Sequence, residues 1–290
     1  MLEAPISHFQ TGLTRPCVTR DSDVHKFTYS MTTLGQMEQT QYPIDVGEVF
    51  LAGVMLRPHA DIGEIHTPAI ALCHWLPEGR WTDDEQDAFE DLGKQIALGT
   101  GASVLCFNFR GIGDSDGDFG INGWCRDLVS VVDALSDDPD MGDIWAVGAG
   151  IGGSVALNVA AGDPRIAGVV ALGAPAEFAA LDLGSDDFFV RARNSGIIRD
   201  PDYPPDLHAW RRELIAYSPI HHVRRIAPRP ILVVHGARDE LVPIGTAERL
   251  VEAAGPSTEK VVVPADHDVY ADESSVEIAC TWLRDQFKVG

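Results

Sequence analysis

The stretch AVGAGIGGSVAL, residues 146–157, decides how this chain folds and what it can do. Its Gly148-x-Gly150-x-x-Gly153 spacing is that of a dinucleotide-binding turn. The same letters, read with Gly148 and Gly152 flanking position 150, form a tight strand-to-helix turn of the kind that presents a nucleophile. Gly150 then stands where the nucleophile would be. The first reading implies a nicotinamide or flavin cofactor, and the second implies none.

A dinucleotide site needs its glycines in the first strand-to-helix turn, with an acidic residue roughly 20 positions on at the end of the next strand. Here at least three strand-like segments precede the turn. The next strand, IAGVVALGAP, holds no Asp or Glu, and Glu177 comes only after a proline. The fingerprint fails in position, and no cofactor is expected.

The surrounding pattern fits the other reading. VFLAGVMLRP, PAIALCHWLP, ASVLCFNFRG, DIWAVGA, IAGVVALGAP, PILVVHG and EKVVVPA read as strands. Between them, Asp83 to Leu98 places Phe89, Leu92 and Ile96 on one face, and the last helix repeats Val276, Ala279, Leu283 and Phe287 at steps of three and four. Strands alternating with helices predict an α/β fold with a mostly parallel sheet covered on both faces. We expect a loosely structured arm over 1–40 and one domain over 41–290. Residues 177–218, rich in Asp, Pro and Arg, are expected to be an irregular cap or lid.

A nucleophile turn also demands an acid after a later strand and a histidine after the last one, in the order nucleophile, acid, base. ILVVHGARDELVP puts Asp239 just past a strand, and VVVPADHDVY puts His267 just past the final one. The order holds.

With those residues in hand, the chain from about residue 45 onward resembles the α/β-hydrolase superfamily. The likeness is greatest to prokaryotic esterases, dienelactone hydrolases and prolyl-oligopeptidase-like members. CHWLPEG resembles the family's His-Gly-x-Pro oxyanion segment, FNFRGIGDSDG its Asp-x-Arg-Gly-x-Gly-x-Ser loop, and APRPILVVHGARDELVP its acid-bearing strand and turn. Three positions depart from the pattern: Gly150 for the nucleophile serine, Trp75 for the oxyanion-segment glycine, and Asn108 for an aspartate. The resemblance implies oxyanion donors at the amides of Leu76 and Ile151, catalytic roles for His267 and Asp239, and substrate contacts at His74 and Trp75.

Backbone donors do not depend on a side chain at position 150, and a histidine oriented by an aspartate can act on water. The expected function is action on, or binding of, a small, largely apolar ester or carbonyl compound, by general-base hydrolysis, proton abstraction or elimination. A non-catalytic binding or scaffold protein is the alternative. So is a serine hydrolase inactivated by an engineered serine-to-glycine exchange.

Other candidates read as structural. Ser154 lies one turn into the helix, Ser115 belongs to the GDSDG turn, and Cys106 is mid-strand. His221 and His222 are adjacent and cannot share a helix face, and GDSDGDFG lacks the distal Glu of a calcium loop. No metal is expected. Phe188, Phe189, Trp210 and Tyr217 either line a pocket or anchor the cap.

The formal charge of −22 disfavours nucleic acid and anionic membranes as partners, since both need a basic face. Five scattered cysteines and the lack of a long apolar run suggest free thiols in a cytoplasmic protein. The expected partner is a small molecule, and a homodimer is compatible with the sequence.

Overall fold

The computed structural model describes residues 37–58 and 66–288. Eight strands form one sheet among the described residues, aliphatic in the middle and more polar at the edges: β1 Met37–Gln41, β2 Gly53–Pro58, β3 Thr67–Cys73, β4 Ser103–Phe107, β5 Met141–Ala149, β6 Ile166–Leu172, β7 Ile231–Gly236 and β8 Thr258–Val263. Their spatial order is β1-β2-β4-β3-β5-β6-β7-β8. β2 alone runs against the rest; it pairs antiparallel with β1 and β4, and every other pair is parallel. The mostly parallel α/β sheet expected from the alternation is present.

Seven α-helices occur among the described residues: α1 Asp83–Thr100, α2 Ile121–Asp137, α3 Ile151–Ala160, α4 Asp186–Ser195, α5 Leu207–Ala216, α6 Ile244–Ala254 and α7 Glu273–Phe287. The stripes at steps of three and four in α1 and α7 bury Phe89, Leu92, Ile96, Val276 and Leu283 on one face of the sheet. Trp124 and Leu128 of α2, Val155 of α3 and Leu250 of α6 fill the other face. Both faces of the central strands are therefore dry, which is why those strands read as continuous apolar runs rather than alternating ones. Among the described residues no helix is long and apolar enough to cross a membrane.

Two expectations need correction. Met37–Gln41 does not belong to a loose arm: it is β1, paired along its length with Gln41↔Val54 through Met37↔Pro58, and Met37 is buried. The rest of the arm, 1–36, lies outside the described residues. The segment 177–218 is also not irregular throughout. It folds α4 behind an N-cap at Ser185 and α5 behind an N-cap at Asp206, each side chain accepting from first-turn amides. Phe188, Phe189 and Trp210 are buried, and the Trp210 indole N–H donates to Leu183 O at 2.8 Å. These rings anchor the segment to the core. Tyr217 Oη donates to Asn122 Oδ1 of α2 at 2.9 Å, a further tie.

The register fixes where a site can form. Cys73 of β3 stands opposite both Phe107 of β4 and Gly148 of β5, Leu172 of β6 opposite Val234 of β7, and Gly236 of β7 opposite Val263 of β8. The carboxyl ends of six strands are thus level, and the segments that leave them meet along one edge, where open parallel sheets take their ligands.

Candidate functional site

β5 passes into α3 through Gly150, at φ +52° and ψ −124°. That backbone conformation is strained for any L side chain. The neighbouring glycines answer to space instead. A Cβ on Gly148 would lie 2.6 Å from the Gly152 backbone, and one on Gly152 would meet His74 O and Cys73 O. The turn is pressed against the end of β3, so only glycine fits at either flank. Position 150 itself has room. A Cβ there would lie 3.5 Å from Trp75 Cβ and 3.8 Å from His267 Nε2.

His267, on the loop after β8, keeps about a quarter of its side chain exposed, and its Nδ1 lies 2.8 Å from Asp239 Oδ2. A carboxylate only accepts, so Nδ1 carries the proton and Nε2 is left as the free lone pair on the side facing Gly150. Asp239 has a fully buried side chain. Its Oδ1 accepts from the amides of Leu241 at 3.0 Å and Val242 at 2.7 Å, so the turn after β7 satisfies the oxygen that His267 does not use. The residues expected to act together are brought together.

The segment after β3 divides in its roles. His74 is completely buried, boxed by Trp81, Phe89, Phe109 and Trp124. Its Nδ1 donates to Trp75 O at 2.6 Å, and its Nε2 accepts from the Phe109 amide at 3.1 Å. Burial pulls its pKa down to about 4, so the ring is neutral. The expectation that His74 contacts substrate is therefore corrected: both nitrogens are spent on backbone, tying β3 to the loop after β4. Trp75 is half-buried and stacks on Tyr270 at 4.1 Å between centroids and 11° between planes. Among the described residues neither Leu76 N nor Ile151 N donates to a protein acceptor, and Ile151 N belongs to the first turn of α3.

The other nucleophile candidates are structural. Ser154 Oγ donates to Pro175 O at 2.6 Å, and Ser115 Oγ donates to Asn108 O at 2.6 Å while accepting from Ala52 N. Burial pushes the Cys106 thiol up, away from the reactive thiolate. Cys73, Cys106, Cys125 and Cys280 are all buried free thiols, while Cys17 lies outside the described residues. Asn108 donates to Gln86 Oε1 at 2.8 Å, a tie between β4 and α1. His221 and His222 fall at short 3-10 turns. No group of three metal-ligating side chains occurs among the described residues.

Beside the site, a groove of about 760 Å³ runs between α1 and α7. Trp75, Leu92, Tyr270 and Val276 line it together with the carboxylates of Glu85, Asp91 and Glu273, and among the described residues no basic side chain does. Neither Gly150 nor His267 lines it; Trp75 links it to them. Tyr270 escaped the sequence reading, although it follows His267 by only three residues. Its hydroxyl pKa is raised by burial and by its hydrogen bond to Asp268.

Comparison with known proteins agrees with this fold. A model described as the alpha/beta hydrolase family matches residues 70–279. An uncharacterized protein of Mycobacterium tuberculosis H37Rv is 33% identical over 174 residues, which are 58% of this chain and 54% of that protein. The chain thus spans about half the length of the curated relatives it matches. An esterase of Pyrococcus furiosus superposes with a TM-score of 0.63 at 20% identity, covering 87% of this chain and 91% of that one. Est1E of Butyrivibrio proteoclasticus, solved with ferulic acid, gives 0.64 at 20% identity over 84% and 97%. At such identities the likeness is one of fold.

Proposed function

We propose that this chain, which belongs to the alpha/beta hydrolase family, acts on a small, largely apolar ester or carbonyl compound through His267, with water in place of a protein nucleophile. One observation carries the reading: a Cβ at position 150 would sit 3.8 Å from His267 Nε2, while the same ring is held by Asp239 at 2.8 Å. The base is oriented and aimed at a nucleophile position that a glycine occupies.

In this mechanism Nε2 takes a proton from a water molecule as its oxygen attacks the carbonyl carbon. The negative charge formed on the carbonyl oxygen is held by the amides of Leu76 and Ile151, each worth a few kcal/mol in sites of this kind. Asp239 stabilises the imidazolium and stays ionised. Nε2–H then returns the proton to the leaving alkoxide, releasing acid and alcohol. No acyl-enzyme forms. The groove walls of Trp75, Leu92, Tyr270 and Val276 support an apolar substrate, and its carboxylates disfavour an anionic one.

The test is hydrolysis of neutral short-chain activated esters by the chain as it stands, by Gly150→Ser and by His267→Ala. Turnover by the chain as it stands, lost in His267→Ala, supports the water route. Silence in the unaltered chain with turnover appearing in Gly150→Ser sinks that route and favours a binding role for the same frame.

A further inference from the structure

We infer that His235, a residue of β7 outside the proposed His267–Asp239 pair, is a positioning residue that holds Asp239 in place beneath His267. β7 is Ile-Leu-Val-Val-His-Gly, buried throughout, and an imidazole in that run interrupts an aliphatic strand. The His235 side chain is wholly excluded from solvent. Its Nε2 lies 2.7 Å from Val242 O and 3.4 Å from Asp239 Oδ2. A carbonyl oxygen only accepts, so Nε2 must carry the proton. That N–H closes the turn from Gly236 to Val242 by bonding its far end, with the Asp239 carboxylate held inside the turn.

Asp239 accepts three hydrogen bonds: Oδ1 from the amides of Leu241 and Val242, and Oδ2 from His267 Nδ1–H, with His235 Nε2 3.4 Å from Oδ2. The two amides belong to the turn that His235 Nε2–H closes through Val242 O, so the imidazole holds the carboxylate through that turn. Among the described residues His235 Nδ1 is buried without a partner. Leucine in its place would remove that orphan atom but leave Val242 O without its donor. The orphan nitrogen is the cost of presenting Nε2–H at this one point.

The inference builds on the pairing of Asp239 with His267 and not on any turnover. It is tested on the full chain by NMR in His235→Leu and His235→Gln; the glutamine amide can place an N–H where Nε2 stands. The readouts are the hydrogen-bonded Nδ1–H resonance of His267 and the exchange rates of the Leu241 and Val242 amides relative to those of Val233 and Val234. We expect His235→Leu to lose the His267 resonance and to speed the two turn amides by about tenfold or more, and His235→Gln to restore both. Retention of the resonance and of the exchange ratio in His235→Leu overturns the inference. So does failure of both variants alike, which would make the imidazole shape, not its N–H, the requirement. Should His235→Leu not fold, His235→Asn, too short to reach Val242 O, takes its place under the same criteria. Absence of ester hydrolysis in every form of the chain would sink the proposed function and leave these NMR outcomes intact.

Discussion

His267 Nε2 stands 3.8 Å from the point that a Cβ on Gly150 would occupy, and nothing but Trp75 approaches that point more closely. A serine Cβ there makes only ordinary van der Waals contacts beside that nitrogen. Gly150→Ser is thus expected to raise hydrolysis of neutral acetate esters by at least about a hundredfold over the unaltered chain. The same change places a side chain at φ +52°. It should cost about 1–3 kcal/mol of stability, seen as a Tm lower by roughly 2–6 °C. Thermal melts and ester kinetics on the same preparation check both halves. An active Gly150→Ser chain with an unchanged Tm would mean that the turn relaxes out of its strained conformation.

Asp239→Asn removes the charge that fixes the His267 tautomer and turns one carboxylate oxygen into a donor facing another donor. In the Gly150→Ser background kcat should fall by about a thousandfold or more, with KM for a small ester nearly unchanged. Steady-state kinetics decide it. A fall confined to KM would reassign Asp239 to binding.

Trp75→Gly removes both the Cβ that approaches position 150 and the indole that stacks on Tyr270. Both the site and the groove between α1 and α7 should widen. In the Gly150→Ser background the ratio of kcat/KM for a hexanoate over an acetate ester is expected to rise about tenfold. The half-buried indole should also cost about 1–3 kcal/mol in stability, below the range for a fully buried tryptophan. An unchanged ratio would place the acyl chain elsewhere than against Trp75.

His74 ties stability to pH. Its folded pKa of about 4 lies below the ordinary value of 6.5. Between these values the unfolded chain binds a proton that the folded chain refuses, so stability rises with pH across that window. The contribution is fully present above pH 6.5 and is lost as pH falls towards 4. Its full size is on the order of 3 kcal/mol. His74→Asn should be less stable at pH 7.5, yet should lose less of its remaining stability by pH 4.5. Urea unfolding of both chains at the two pH values gives the double difference. Parallel pH dependences would mean that the ring is protonated in place.

Much of the sheet and of the site was legible in the sequence, for reasons that differ by element. The parallel core strands announce themselves because both faces are buried, and α1 and α7 because each packs on one side only. Asp239 and His267 could be found because they must follow particular strands in a fixed order. β1 was missed because Met-Glu-Gln-Thr-Gln is a polar edge strand in which only Met37 is fully buried. α4 and α5 are ten residues each, and their capping signals at Ser185 and Asp206 were obscured by the Asp-, Pro- and Arg-rich text around them. His74 was misread because its burial is supplied by rings from α1, α2 and the loop after β4, none adjacent in sequence. The nearness of His235 to Asp239 depends on a turn closing through Val242 O, a geometry that no periodicity encodes.

The tight turn at Gly150 has a consequence for how this chain can change over time. Its shape is imposed by the flanking glycines and by the end of β3, and not by whatever side chain position 150 carries. A glycine codon of the GGT or GGC kind becomes a serine codon by a single transition. Where position 150 is encoded in that way, a hydroxyl lies one mutational step from the imidazole that Asp239 already holds.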